Sequence, residues 1–317
     1  MTTRYLCLFV TLFLLNCCTE EYNMNLPEQD SKIIIDAMIT DGEPPYFVRL
    51  TLGKNAFGEN FEYMDTSGYF VDNRFVPVLN AQIIITDNVG NSDTLISDFS
   101  EQYDYTYNSE TNKWDSSFVG IDNTRGKIGY YKTTKLQGVP GNIYNISVLW
   151  KGDEYTSTCT MPICPKIDSV TYEFTVGRVG KSDYYIPHIW FKDNPNTKDY
   201  YMFKTYGCGG SWSRSILSDE FINNNVTGLN VFQGESHDWW RNAYPMPGSE
   251  YKIEMYAITK EIYEYYEALI AQFRSDGGVY TPTPASPPTN ISGNSQGFFS
   301  ASGFQVVTDI MPHTEEE

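Results

Sequence analysis

The sequence predicts a mainly β protein: two β-sandwich-like domains, 31–165 and 166–317, the second carrying one α-helix near 259–274. Three observations predict it. Short stretches of alternating apolar and polar residues recur along the chain, divided by Gly, Pro, Asn and Asp. There are 25 tyrosines, and 15% of the chain is aromatic, a composition that suits pleated, half-buried surfaces. A helical period is convincing in a single segment.

The elements follow in order. Lys32–Ile39 reads as a strand, and Thr40-Asp-Gly-Glu-Pro-Pro45 is dense in turn residues. Tyr46–Leu52 alternates and should pair with the first strand as a hairpin. Residues 53–75 lack a period and read as a long loop. Val76–Thr86 is a strand that runs into the turn Asp87-Asn-Val-Gly-Asn91, and Asp93–Ile96 returns from it. Residues 98–127 are polar and Tyr-rich and read as an elaborated connection. Gly129–Tyr131, Gly141–Trp150 and Glu154–Met161 complete the first sandwich. Pro162-Ile-Cys-Pro165 marks the domain boundary, because two close prolines break a ladder or a helix. Ile167–Phe174, His188–Phe191, Tyr200–Tyr206 and Tyr251–Ala257 are the strands of the second half. From Thr259 to Arg274, Ile262, Tyr266, Leu269, Ile270 and Phe273 recur at spacings of three and four, which predicts a helix. Thr259 can cap its start and Gly277 lies beyond its end. A proline-rich run at 281–288 precedes two closing strands, 297–303 and 304–308.

Ahead of the fold lies an address. Arg4 precedes an apolar run from Tyr5 to Leu15, too short for a bilayer core, which takes about 20 residues. This has the shape of a signal peptide, residues 1–17. The run ends in Leu15-Asn-Cys17-Cys18, which resembles the bacterial lipoprotein cleavage box. Cys18 is the better acceptor than Cys17, because Leu15 then occupies the box's first position. Acylation there would anchor the protein without a spanning helix. Residues 18–30 form a polar, acidic tether. Within it, Glu20 and Glu21 resemble the signal that carries Bacteroidota lipoproteins to the outer face of the outer membrane.

Composition excludes several functions. A net charge of −18 repels phosphate backbones and argues against nucleic acid as a partner. Setting aside Cys7, Cys17 and Cys18 leaves Cys159, Cys164 and Cys208; Cys159 and Cys164 could close a small disulfide loop. With no C-x-x-C and with histidines at 188, 237 and 313, no metal site or cofactor is expected.

Several stretches, taken in order, resemble one family. They include Asn25-Leu-Pro27, Asp41-Gly-Glu-Pro-Pro-Tyr-Phe-Val-Arg-Leu50, Pro77-Val-Leu-Asn-Ala81 and Pro140-Gly-Asn-Ile-Tyr144. Pro165-Lys-Ile-Asp-Ser169, Tyr200-Tyr201, Leu217-Ser-Asp219, the 263–272 helix, Asn290 and Gly297-Phe-Phe-Ser-Ala301 continue the set. Together they resemble the Bacteroidota lipoproteins grouped as domain of unknown function (DUF) 4249. The segment from Pro77 to Met161 also resembles a transthyretin-like sandwich. The resemblance implies no catalytic residues; it implies an accessory lipoprotein of a TonB-dependent transporter, in nutrient capture or import at the cell surface.

Trp212, Trp239 and Trp240, with Arg241, are the candidate ligand contacts, in segments that read as loops. Aromatic faces beside polar side chains suit sugars, whose C–H faces stack while their hydroxyls hydrogen-bond. Packing between sandwich and helix is the competing explanation for the same tryptophans. Glu235, His237 and Asp238 could support acid–base chemistry, yet no G-x-S-x-G, H-E-x-x-H or P-loop is present. The Asp87–Asp93 segment offers oxygen ligands faintly like a calcium loop, and equally a hairpin turn. The expectation is a non-catalytic binding component of surface nutrient uptake, with a glycan or peptide as ligand. The alternative is a structural, adhesin-like surface lipoprotein.

Overall fold

The computed structural model describes residues 31–53, 62–64, 70–72, 75–98, 101–108, 113–121, 129–176, 184–206, 212–221, 226–231, 247–274 and 285–312. It is mainly β and sandwich-like, with one α-helix among the described residues. The first half contains β1 (Ile33–Thr40), β2 (Phe47–Gly53), β3 (Glu62–Met64), β4 (Phe70–Asp72) and β5 (Phe75–Pro77). It continues with β6 (Gln82–Asp87), β7 (Ser92–Thr94), β8 (Ile96–Ser97), β9 (Glu101–Asn108) and β10 (Lys113–Ile121). Then come β11 (Tyr130–Lys132), β12 (Ile143–Trp150) and β13 (Asp153–Thr160). The second half holds β14 (Ile167–Thr175), β15 (Tyr184–Phe191), β16 (Tyr200–Tyr206), β17 (Trp212–Ser218) and β18 (Val226–Asn230). It closes with β19 (Glu250–Ile258), α1 (Lys260–Arg274) and β20 (Ser295–Ile310).

A nine-stranded sheet runs through both halves in the order β17-β16-β19-β20-β1-β2-β11-β8, with β5 also on β2. Its seam is β20. Ser295–Ser302 runs parallel to β1, and Gly303–Ile310 runs antiparallel to β19. The two closing strands expected from the sequence are one strand of 16 residues. The halves read as separate sandwiches therefore share hydrogen bonds across this seam.

Strand alternation gives the large sheet two faces. Ile33, Ile35 and Ala37 of β1, Phe299 and Ala301 of β20, and Met255 and Ala257 of β19 share the inner face by register. The sheet β13-β12-β6-β7 contributes Ile83, Ile85, Tyr144, Ile146 and Val148 to one core with the β1 and β2 residues. The sheet β14-β15-β18 contributes Ile189 and Phe191 to a second core with Tyr201, Phe203, Ile253 and Met255. The chain passes between the two smaller sheets through residues 161–166, where Pro162 and Pro165 sit. That segment crosses so close to β20 that a Cβ on Gly303 would lie 2.5 Å from the Pro162 carbonyl oxygen.

The opposite face carries α1. Ile262 and Tyr266 are buried on it, the Tyr263 ring lies 5.1 Å from Tyr200, and the Tyr265 ring 5.1 Å from Phe298. Tyr263 N–H donates to the Thr259 carbonyl at 3.0 Å, which closes the first turn one residue inside the expected start.

Several residues that carried the family resemblance act as fasteners. The Asn290 side chain pairs with the Phe299 backbone like a strand neighbour, donating at 2.8 Å and accepting at 3.0 Å. Asp41 Oδ1 accepts from Phe304 N–H at 2.6 Å. Gly297 has φ +91°, and a Cβ there would fall 2.1 Å from the Ile35 carbonyl oxygen, so only glycine lets β1 and β20 approach.

Three sequence expectations are corrected. The 53–75 segment, read as a long loop, contains the antiparallel pair β3–β4. Cys159 and Cys164 are free thiols, not a disulfide. Cys159 lies in the first core, its sulfur 3.3 Å from the Ala301 N–H, while Cys164 packs on the second core and donates to the Met255 carbonyl at 3.7 Å. The extended connection between the sheets holds them apart. The 98–127 segment, read as a connection, contains the β9–β10 hairpin.

Candidate functional site

Trp212 opens β17, an edge strand where the sequence suggested a loop, and pairs in register with Tyr206, which pairs in turn with Lys252. Trp239, Trp240 and Arg241 lie outside the described residues, as do Cys18, Glu20, Glu21, Glu235, His237 and Cys208.

The end of the helix face marked by Trp212 is polar and aromatic. Three adjacent strands place Arg214, Lys204 and Glu254 in one cross-strand row. The next rows hold Tyr206 with Lys252, and Met202 with Tyr256. Glu254 is 9% exposed and fully engaged. Lys252 Nζ lies 2.8 Å from Oε1, while the Tyr256 and Tyr206 hydroxyls donate to Oε2 at 2.7 and 3.1 Å. Burial works against ionisation, but these three donors outweigh it and hold the carboxyl below the usual glutamate range.

The cations rest on rings. Lys204 Nζ is 4.7 Å from the Tyr256 centroid, Arg214 Cζ is 4.8 Å from Tyr266, and Lys252 Nζ is 4.3 Å from Tyr206. Burial and then the neighbouring Arg214 push the Lys204 amine below its usual range. Burial and Glu254 raise the Tyr206 phenol to about 12, so at neutral pH it stays a donor. Such a face can bind polar or anionic groups.

Three other places gather polar groups or form a groove. Asp93, 1% exposed, accepts from Thr134 N–H and Oγ1 and from the N–H groups of Lys135 and Leu136, at 2.6–2.9 Å. Asp87 accepts from Val89 and Asn91 within its own turn. The turn thus accounts for Asp87 and the 134–136 segment for Asp93, the carboxylates that resembled a calcium loop. Asp193, Asp199 and Asp219 bring carboxylate oxygens within 4.8 Å of one another. Each is held by the protein itself: Asp193 by the Tyr201 hydroxyl, Asp199 by Thr197, Asp219 by the Asp199 N–H. A shallow groove of about 280 Å³ crosses the outer face of β6, β12 and β13, lined by Ile84, Thr86, Asn145, Ser147, Thr156 and Thr158.

Sequence reasoning missed Lys204, Arg214 and Glu254. The signal was present in Tyr251-Lys-Ile-Glu-Met-Tyr256, whose alternation puts Lys252, Glu254 and Tyr256 on one face. In β17 the polar stretch Trp-Ser-Arg-Ser hid the strand.

A family model described as "Domain of unknown function (DUF4249)" matches residues 19–306, most of the chain. No curated protein matches it.

Proposed function

The chain belongs to the DUF4249 family, and we propose that it is an outer-membrane lipoprotein facing the cell exterior. In this reading it serves as a non-catalytic binding or accessory component of a TonB-dependent nutrient uptake system. The observation that carries the reading is Leu15-Asn-Cys17-Cys18 with Thr19-Glu20-Glu21 directly behind it. An acylated Cys18 supplies an anchor, and the acidic pair supplies the outward address. The family match begins at residue 19, immediately after that cysteine. A binding role is supported by the polar, aromatic helix face around Lys204, Arg214 and Glu254. A glycan or peptide is the nutrient class that the Trp239-Trp240-Arg241 segment suits.

The test is fractionation of native cells. Cys18→Ala should move the protein from the membrane to the soluble fraction, and affinity purification of the wild type from outer membranes should retain a TonB-dependent transporter. Unchanged membrane partitioning of Cys18→Ala rejects the anchor. Recovery of fimbrial or adhesive components in place of a transporter rejects uptake in favour of the structural role.

A further inference from the structure

We propose that Arg214 and Lys204 form a receptor for the oxyanion of a small ligand, a carboxylate or phosphate group taken between α1 and the sheet. The two cations stand directly opposite each other on antiparallel β17 and β16. Like charges in that position destabilise a sheet unless something lies between them. Among the described residues neither forms an ion pair with an acid. Glu254, opposite Lys204 on β19, is already occupied by Lys252, Tyr206 and Tyr256. Arg214 Nε is buried and has no hydrogen-bond partner. An aromatic face partly offsets a cation's charge but leaves the N–H donors of Arg214 and Lys204 unfilled.

The local charge balance points the same way. Lys204, Arg214, Lys252 and Arg49 occur on this face with Glu254, Glu250 and Asp36, and Asp36 stands opposite Arg49 in register. These strand residues therefore carry one excess positive charge in a chain whose net charge is −18. A guanidinium fork beside an ammonium group is the donor set that carboxylates and phosphates take, the fork bidentate and the ammonium as a point charge. The phenols of Tyr265 and Tyr266, both raised by burial, remain protonated and are further donors, while the Tyr256 hydroxyl is committed to Glu254. Lys252, 39% exposed, marks the solvent side of the row. This inference rests on the reading of the protein as a binding component, and it is independent of where the protein is anchored.

The experiment uses soluble full-length Cys18→Ala protein at low ionic strength. Inorganic phosphate and, separately, acetate are titrated by calorimetry, with sodium chloride matched for ionic strength. Saturable binding of one oxyanion is expected, weakened at least tenfold in both Lys204→Gln and Arg214→Gln. Arg214→Lys, which keeps the charge and loses the fork, should weaken it less. Lys198→Gln, which removes an exposed cation paired with Glu220, should leave it unchanged. Phosphate binding without acetate binding, or the reverse, assigns the headgroup. No saturable heat with either anion overturns the proposal, as does equal binding in wild type and a folded Arg214→Gln or Lys204→Gln protein. Neither outcome touches the membrane assignment, which Cys18→Ala fractionation decides alone.

Discussion

Replacing Asp93 by Asn tests whether the first sandwich is locked by one carboxylate. Asp93 sits on β7 and gathers Thr134, Lys135 and Leu136 at 2.6–2.9 Å, fixing the chain just beyond β11. Hydrogen bonds to a charged group contribute about 1.5–3 kcal/mol each, and they are not additive when they share one acceptor. An Asn presents an NH₂ where the wild type has an acceptor, so at least one backbone N–H loses its partner. The expected loss is about 3–5 kcal/mol, comparable with breaking a buried charged contact. For a domain of this size that lowers Tm by roughly 6–10 °C. The effect also has a signature in pH. Burial opposes ionisation of Asp93, but the bonds from Thr134, Lys135 and Leu136 prevail and hold its pKa below the ordinary value. Its stabilisation is therefore fully present above the unfolded carboxyl pKa, about 4, and is lost as the pH falls through the lower folded pKa. Urea denaturation of both proteins at pH 7, 5, 4 and 3 measures this. The gap between wild type and Asp93→Asn should be constant from pH 7 to 5 and narrow towards pH 3. A gap under 0.5 kcal/mol at pH 7, or one that widens on acidification, would refute the reasoning.

Gly297→Ala should cost about 2 kcal/mol or more, because the new Cβ meets the Ile35 carbonyl at a positive φ; thermal melts check it. In a Cys208→Ser protein, Cys159 and Cys164 should react with a thiol reagent slowly when folded and stoichiometrically when denatured. Burial raises them to about 11 and 12, and a native mass two daltons light would reveal the disulfide instead. Glu20→Ala with Glu21→Ala should retain acylation yet reduce protease shaving on whole cells; equal shaving removes the export reading. If a glycan binds, Trp239→Ala with Trp240→Ala should weaken it by about 1–3 kcal/mol, and unchanged titrations place both rings elsewhere.

What was legible in the sequence was local. Alternation found β1, β2, β6, β12 and β13 but not β3, β4, β9 or β10, and a 3.6 period found the helix within one residue of its start. Partners were not legible. Period-2 patterning says which face of β20 is buried, and nothing says that its first half will lie parallel to β1. β17 escaped because its Ser and Arg residues make an edge strand look like a loop. The site followed the same rule. Tryptophans drew attention as residue types, whereas Arg214 and Lys204 become a pair only when two strands come into register. The motifs behind the family resemblance proved informative about architecture, since Asp41, Asn290 and Gly297 hold the seam of the sheet.

That seam sets the order in which the molecule can be completed. Synthesis delivers β1 first and β20 last, and the hydrogen bond from Ser300 to Ala37 joins positions 263 residues apart. Closing so long a loop costs on the order of 5 kcal/mol of chain entropy before any contact repays it, and such topologies fold slowly. Until residues 295–310 arrive, the large sheet exists as two fragments, β1-β2-β11-β8 and β17-β16-β19, each with an open edge at its centre. Losing the final strand would thus split the protein down the middle, not trim its end.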